Sequence, residues 1–132
     1  MASQPTVLSL YTGAGGIDYG FEAAGYRTTV ALEMNPACCR TLRHNRLWPV
    51  IERSILDVPT KELLDTAGLN VGEADVLIGG PPCQPFSKSG YWANGDARRL
   101  EDPRADTLGA YLRVVEEAMP RAFLLENVYG IA

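Results

Sequence analysis

Short apolar runs alternate with helical stretches along this chain, and that alternation restricts it to one class of fold. Val7 to Tyr11 reads as a strand, and a helix follows from Gly16 to Ala24, with Ile17, Phe21 and Ala24 on one face. Thr28 to Glu33 is a second strand. Asn35 then caps a helix that has Pro36 at its first position and runs to Asn45. Val50 to Ile55 gives a weaker third strand closed by Asp57, and Thr60 to Ala67 a short helix stopped by Gly68. Asp75 to Gly79 is a fourth strand, apolar enough to be covered on both faces. Arg104 to Met119 returns to helix, with Leu108, Leu112, Val115 and Met119 forming an apolar row before Pro120. Ala122 to Glu126 is a fifth strand. Such a series predicts right-handed crossovers and a doubly wound, mostly parallel α/β sheet with helices on both faces, in the order 3-2-1-4-5.

Ligands of open α/β sheets sit at the carboxyl ends of the strands. Gly13-Ala14-Gly15-Gly16 follows strand one, and Glu33 ends strand two, 20 residues beyond Gly13. That is the spacing at which an acid meets ribose hydroxyls. Asp57 ends strand three and Asp75 precedes strand four. A dinucleotide fingerprint fails, because its third glycine position is Asp18, and no phosphate loop ending in Gly-Lys-Ser or Gly-Lys-Thr is present. The turn suits a nucleoside-like ligand; the competing reading is a turn that only packs helix against strand.

Gly79-Gly80-Pro81-Pro82-Cys83-Gln84-Pro85-Phe86-Ser87 is the most informative stretch. Prolines stiffen the backbone around a cysteine, a setting that a cysteine serving only as a small buried hydrophobe does not need. A thiolate reacts according to its placement and activation. Glu126-Asn127-Val128 ends the fifth strand. With strands four and five adjacent, Cys83 and Glu126 would share one pocket, as nucleophile and proton donor.

Leu10 to Gly16, Gly80 to Ser87 and Glu126-Asn127-Val128 resemble the cofactor, nucleophile and acid motifs of the cytosine-C5 DNA methyltransferases. Glu33 and Asp57 resemble two further cofactor positions, and Asp102-Pro103-Arg104 with Leu108 the element after the catalytic loop. The resemblance implies a Rossmann-like fold and S-adenosylmethionine as cofactor. It places Tyr11, Gly13, Gly15 and Gly16 along the cofactor, Glu33 on the ribose, Met34 by the adenine and Asp57 on its amino group. It makes Cys83 the nucleophile and Glu126 the acid, with Pro82 and Asn127 fixing their geometry. The substrate implied is double-stranded DNA with a flipped cytosine, in the setting of restriction–modification. Gln84, Ser87, Lys88, Arg98, Arg99 and Arg104 become candidate nucleic-acid contacts, although by charge alone the basic residues read as a solvated loop.

The family's Gln-x-Arg-x-Arg element, target-recognition region and closing motifs are not found in residues 1–132. The resemblance therefore implies a cofactor-binding and catalytic portion that needs a further C-terminal region or a second polypeptide. A net charge of −4 agrees, since phosphate affinity rests on clustered Lys and Arg. Two alternatives stay open: a tRNA cytosine-C5 methyltransferase, and a cofactor-binding fragment without catalysis. Three cysteines, an odd count, read as reduced thiols in the cytoplasm. No apolar run is long enough to span a bilayer, and no secretory signal is expected. Cys38, Cys39 and the single His44 lack the spacing of a metal site, so none is expected. Trp48 is expected at the edge of the core.

Overall fold

The computed structural model describes residues 3–82 and 106–127. Five strands form one parallel sheet: β1 (Thr6–Leu10), β2 (Arg27–Leu32), β3 (Val50–Ile51), β4 (Val76–Gly79) and β5 (Ala122–Leu125). Their order is β3-β2-β1-β4-β5, as expected from the alternation. The helices are α1 (Gly16–Ala23), α2 (Pro36–Asn45), α3 (Thr60–Ala67) and α4 (Asp106–Ala118). Each joins strands that run the same way, which is the crossover geometry of doubly wound sheets.

The central strand β1 is wholly buried, with Val7, Leu8 and Leu10 at 0% exposure. Leu8, Leu10, Val30, Leu32 and Leu77 pack with Leu63 and Leu64 of α3 and with Ala110, Tyr111 and Val114 of α4 into the main core. Opposite, Cys39 and Leu42 of α2 are buried, as is Asp18 of α1. Asn35 caps α2 as expected, its Oδ1 accepting from Ala37 N at 2.9 Å and Cys38 N at 3.1 Å.

Three expectations change. Strand three ends at Ile51, because Ser54 starts a 3-10 turn over Ile55–Asp57 and its hydroxyl accepts from Leu56 N. The buried residue of α1 is Asp18, while Ile17 and Phe21 are half-buried and Ala24 is exposed. The buried face of α4 is Ala110, Tyr111, Val114 and Ala118; Leu112 and Met119 are exposed. Tyr111 sets that rotation, since its hydroxyl donates to Leu124 O at 2.6 Å and lies 3.4 Å from Leu77 O. An aromatic ring with a satisfied hydroxyl belongs inside, and the alanines beside it let the helix approach the sheet closely.

Candidate active site at the carboxyl edge of the sheet

The glycine-rich turn and the acid at the end of β2 meet directly. Gly13 N donates to Glu33 Oε1 at 2.8 Å, and Asn35 N donates to Glu33 Oε2 at 2.8 Å. Both carboxylate oxygens are thereby oriented by backbone, which leaves further lone pairs for a ligand. Gly15 has φ of 98°, and a Cβ there would stand 3.1 Å from Leu42 Cδ2 and 3.3 Å from the Tyr19 ring. Only glycine meets both conditions. Gly16 opens α1.

A polar network lies beneath this turn. The Ser9 and Thr12 hydroxyls are 2.9 Å apart, and the Thr28 hydroxyl donates to Asp18 Oδ2 at 3.3 Å. Burial pushes the Asp18 carboxyl up to about 6, opposed by hydrogen bonds from Ser9, Thr28 and the backbone. A carboxyl that is 1% exposed gives up its proton less readily than one in water, because burial disfavours its charged form.

Beside the turn is a cavity of about 210 Å³. Tyr11, Leu32, Met34 and Ile55 give it apolar walls, and Glu33 provides an acid on its lining. Gly80, Pro82 and Thr107 close the side toward β4 and α4. Tyr11 takes φ of 51°, uncommon for a side chain with a Cβ, and its hydroxyl donates to Thr107 O at 2.5 Å. Burial holds that phenol protonated, above its ordinary range, so it remains a donor. Asp57 does not line the cavity. It is exposed in the 3-10 turn, and its carbonyl accepts from Arg53 Nη2 at 2.7 Å. Ser54, Ile55 and Arg53 occupy the lining instead.

The two motif halves come together at the ends of β4 and β5. Glu126 N donates to Gly79 O at 3.0 Å, and Asn127 Nδ2 donates to Pro81 O at 3.3 Å. A Cβ on Gly80 would lie 2.5 Å from Glu126 Oε2, and one on Gly79 would lie 2.7 Å from Leu10 O. The glycines before Pro81-Pro82 therefore admit the Glu126 side chain and the close approach of β1. Cys83, Gln84, Ser87, Lys88, Arg98, Arg99 and Arg104 lie outside the described residues.

Other candidates take structural positions. Asp75 sits at the opposite, amino edge, where its carboxylate accepts from Thr6 N at 2.8 Å and pairs with Arg121 at 3.3 Å. The Thr6 backbone bond, foremost, holds its carboxyl below the usual range. Cys39 is buried with its thiol 3.2 Å from Glu33 O, and burial pushes it up to about 11. Trp48 is half-buried beside Tyr19, ring centroids 5.7 Å apart. Among the described residues no group of His, Cys, Asp and Glu could hold a metal, and no helix is long and apolar enough to cross a membrane.

Known proteins resemble this chain in sequence and in fold. The type II methyltransferase M.AquIA of Picosynechococcus is 47% identical over 95% of this chain, which spans 49% of that protein. M.SacI of Streptomyces achromogenes is 40% identical over 95% of the chain, which spans 35% of it. Among solved structures, a protein described as a prophage-encoded DNA modification methyltransferase of E. coli superposes with a TM-score of 0.77 at 27% identity. It is covered to 33% by 96% of this chain. The chain thus spans about half, or less, of the length of these relatives. The description "C-5 cytosine-specific DNA methylase" matches residues 5–132, so the chain belongs to that methyltransferase family, whose methyl donor is S-adenosylmethionine.

Proposed function

We propose that this chain is the cofactor-binding and catalytic portion of an enzyme that methylates C5 of cytosine in double-stranded DNA, acting with further polypeptide. The observation that carries this reading is the fit of Glu126 against Gly80, where a Cβ would stand 2.5 Å from its carboxylate. It brings the acid to the backbone that leads through Pro81 and Pro82 into Cys83.

The cavity suits the cofactor. Its volume of about 210 Å³ and its walls of Tyr11, Leu32, Met34 and Ile55 match the size and apolarity of an adenosine. Glu33 would accept from the ribose hydroxyls with the oxygens that Gly13 and Asn35 already orient. When bound, S-adenosylmethionine supplies the electrophilic methyl group. Asp57, exposed in the 3-10 turn that follows the Ser54 and Ile55 lining, would accept from the adenine amino group.

The target base must leave the duplex before a thiol can reach C6, at a cost of a few kcal/mol. The Cys83 thiolate then bonds to C6. Glu126 holds N3 and the exocyclic amine, giving a proton to N3 as electron density moves toward C5. C5 takes the methyl group, the C5 proton leaves to a base, the C6–sulfur bond breaks to release the thiolate, and N3 returns its proton to Glu126, which restores the ring. Asn127 fixes the Pro81 carbonyl and thereby the approach to Cys83. Gln84, Ser87, Lys88, Arg98, Arg99 and Arg104 would meet the DNA near the target.

An oligonucleotide carrying 5-fluorocytosine tests this, because fluorine cannot leave as the proton does. With S-adenosylmethionine and a complementing polypeptide, a covalent adduct is expected that maps to Cys83 and is lost in Cys83→Ser. Glu126→Gln should slow adduct formation by about 10²-fold or more. An adduct that persists in Cys83→Ser would overturn the assignment.

A further inference from the structure

One guanidinium on α4 reaches across to the 3-10 turn. Arg113 Nη2 donates to Ile55 O at 3.0 Å and to Val58 O at 3.1 Å. The two N–H groups of a single nitrogen thus take the carbonyls on either side of Leu56 and Asp57. Among the described residues Arg113 makes no ion pair, and its buried Nε has no acceptor. An apolar side chain would fill the same space without leaving a buried donor unpaired. The bridge between two carbonyls is what the guanidinium adds.

The turn needs support from outside. Its own bonds are Asp57 N to Ser54 O at 2.9 Å, Val58 N to Ile55 O at 3.3 Å and Leu56 N to the Ser54 hydroxyl at 3.2 Å. A 3-10 element this short has poor hydrogen-bond geometry, and Pro59 after it offers no N–H. Leu56 is 59% exposed, so its side chain does little to pack the turn in place. Arg53, paired with Glu62, takes Asp57 O at 2.7 Å and links the turn to α3. Arg113 links it to α4. The same helix holds Tyr11, whose hydroxyl donates to Thr107 O. Tyr11 and Ile55 both line the cavity, so α4 grips two of its walls, at Thr107 and less than two turns further on at Arg113.

We infer that Arg113 is a positioning residue for the adenine end of the site: by bridging Ile55 O and Val58 O it fixes the turn in the shape that presents the Asp57 carboxylate to the adenine amino group. It acts through the turn, not on the cofactor. Its loss falls on recognition of the amino group and spares the ribose, because Glu33 is held separately by Gly13 N and Asn35 N. The inference rests on the reading that Asp57 meets the adenine.

Calorimetric titration of the chain compares S-adenosylhomocysteine with its 6-deamino analogue, in which hydrogen replaces the amino group. The unaltered chain should bind the amino-bearing ligand about tenfold more tightly, and Arg113→Met should bring that ratio below about threefold. Asp57→Asn should lower the ratio as far, and the double variant no further. Amide hydrogen exchange at Leu56, Asp57 and Val58 should quicken in Arg113→Met. Glu117→Ala is the structural control: it removes the acceptor of the Thr60 hydroxyl, another tie between α4 and α3, and should leave the ratio unchanged. Should Arg113→Met fail to fold, Arg113→Lys takes its place, with a ratio between those of the unaltered chain and Asp57→Asn. An unchanged ratio in the Arg113 variant overturns the proposal. So does equal weakening of both ligands, which would make Arg113 a general support of the fold. An unaltered chain that binds both ligands equally removes Asp57 from the adenine and this role with it; one that binds neither removes the cofactor site itself.

Discussion

β1 and β5 are both short apolar strands in one sheet, and they have opposite surroundings. Every residue of β1 is buried, between helices on both faces and strands on both edges. In β5, Ala122, Phe123 and Leu124 are exposed and Leu125 is half-buried. Composition does not distinguish the two strands; coverage does. A segment's apolar character therefore states what it must be packed against, and for β5 most of that partner is not among the described residues.

Truncating side chains at the two places gives the largest contrast. Leu8→Ala should cost about 3–4 kcal/mol, since a fully buried leucine leaves a cavity in the core. Phe123→Ala should cost less than about 1 kcal/mol in the isolated chain, because half of that ring already meets water. Urea denaturation measures both. Equal losses would mean that β5 is covered in solution and that the contrast is false.

A smaller effect sharpens the comparison from the inside. Asp18 is buried near β1, and its folded-state value of about 6 lies above the ordinary 3.8. The folded protein then holds this proton more tightly than the unfolded chain does. The group's contribution is fully present below about pH 4 and is lost as pH rises through about 6. Asp18→Asn keeps the hydrogen-bonding shape without the charge. It should stabilise the chain at pH 8 by on the order of 1–2 kcal/mol, with the gain fading toward pH 4.5. Urea midpoints at the two pH values check this; a gain independent of pH would show that titration of Asp18 is not its source.

The smallest effect belongs to Leu112, exposed on α4. Leu112→Ala should change stability of the isolated chain by no more than about 0.5 kcal/mol, read from the same urea midpoints. A loss of 2 kcal/mol or more would place Leu112 in a packed interior and break the contrast.

Much of this was legible in the residues. The alternation of elements gave the strand order, and the distance from Gly13 to Glu33 announced a contact that the 2.8 Å hydrogen bond realises. The pairing of the Gly80 and Glu126 stretches followed from β4 and β5 being neighbours. What was misread depended on three-dimensional context. The apolar row of α4 obeys helical periodicity, but periodicity cannot say which of two adjacent stripes meets the sheet; Tyr111 decided it through its hydroxyl. Asp18 gave no local sign of burial, because its partners come from β1 and β2. The third strand was read too long, because the chain turns at Ser54 and Asp57 ends a 3-10 turn instead of a strand.

One consequence of the Tyr11–Thr107 hydrogen bond reaches across the molecule. The bond ties a wall of the 210 Å³ cavity to the first turn of α4, and the same helix bears Leu112 on its exposed flank. A helix is only about 10 Å across, side chains included. The cavity and the exposed apolar flank are thus two sides of a single rod, and whatever tilts that rod is felt by both.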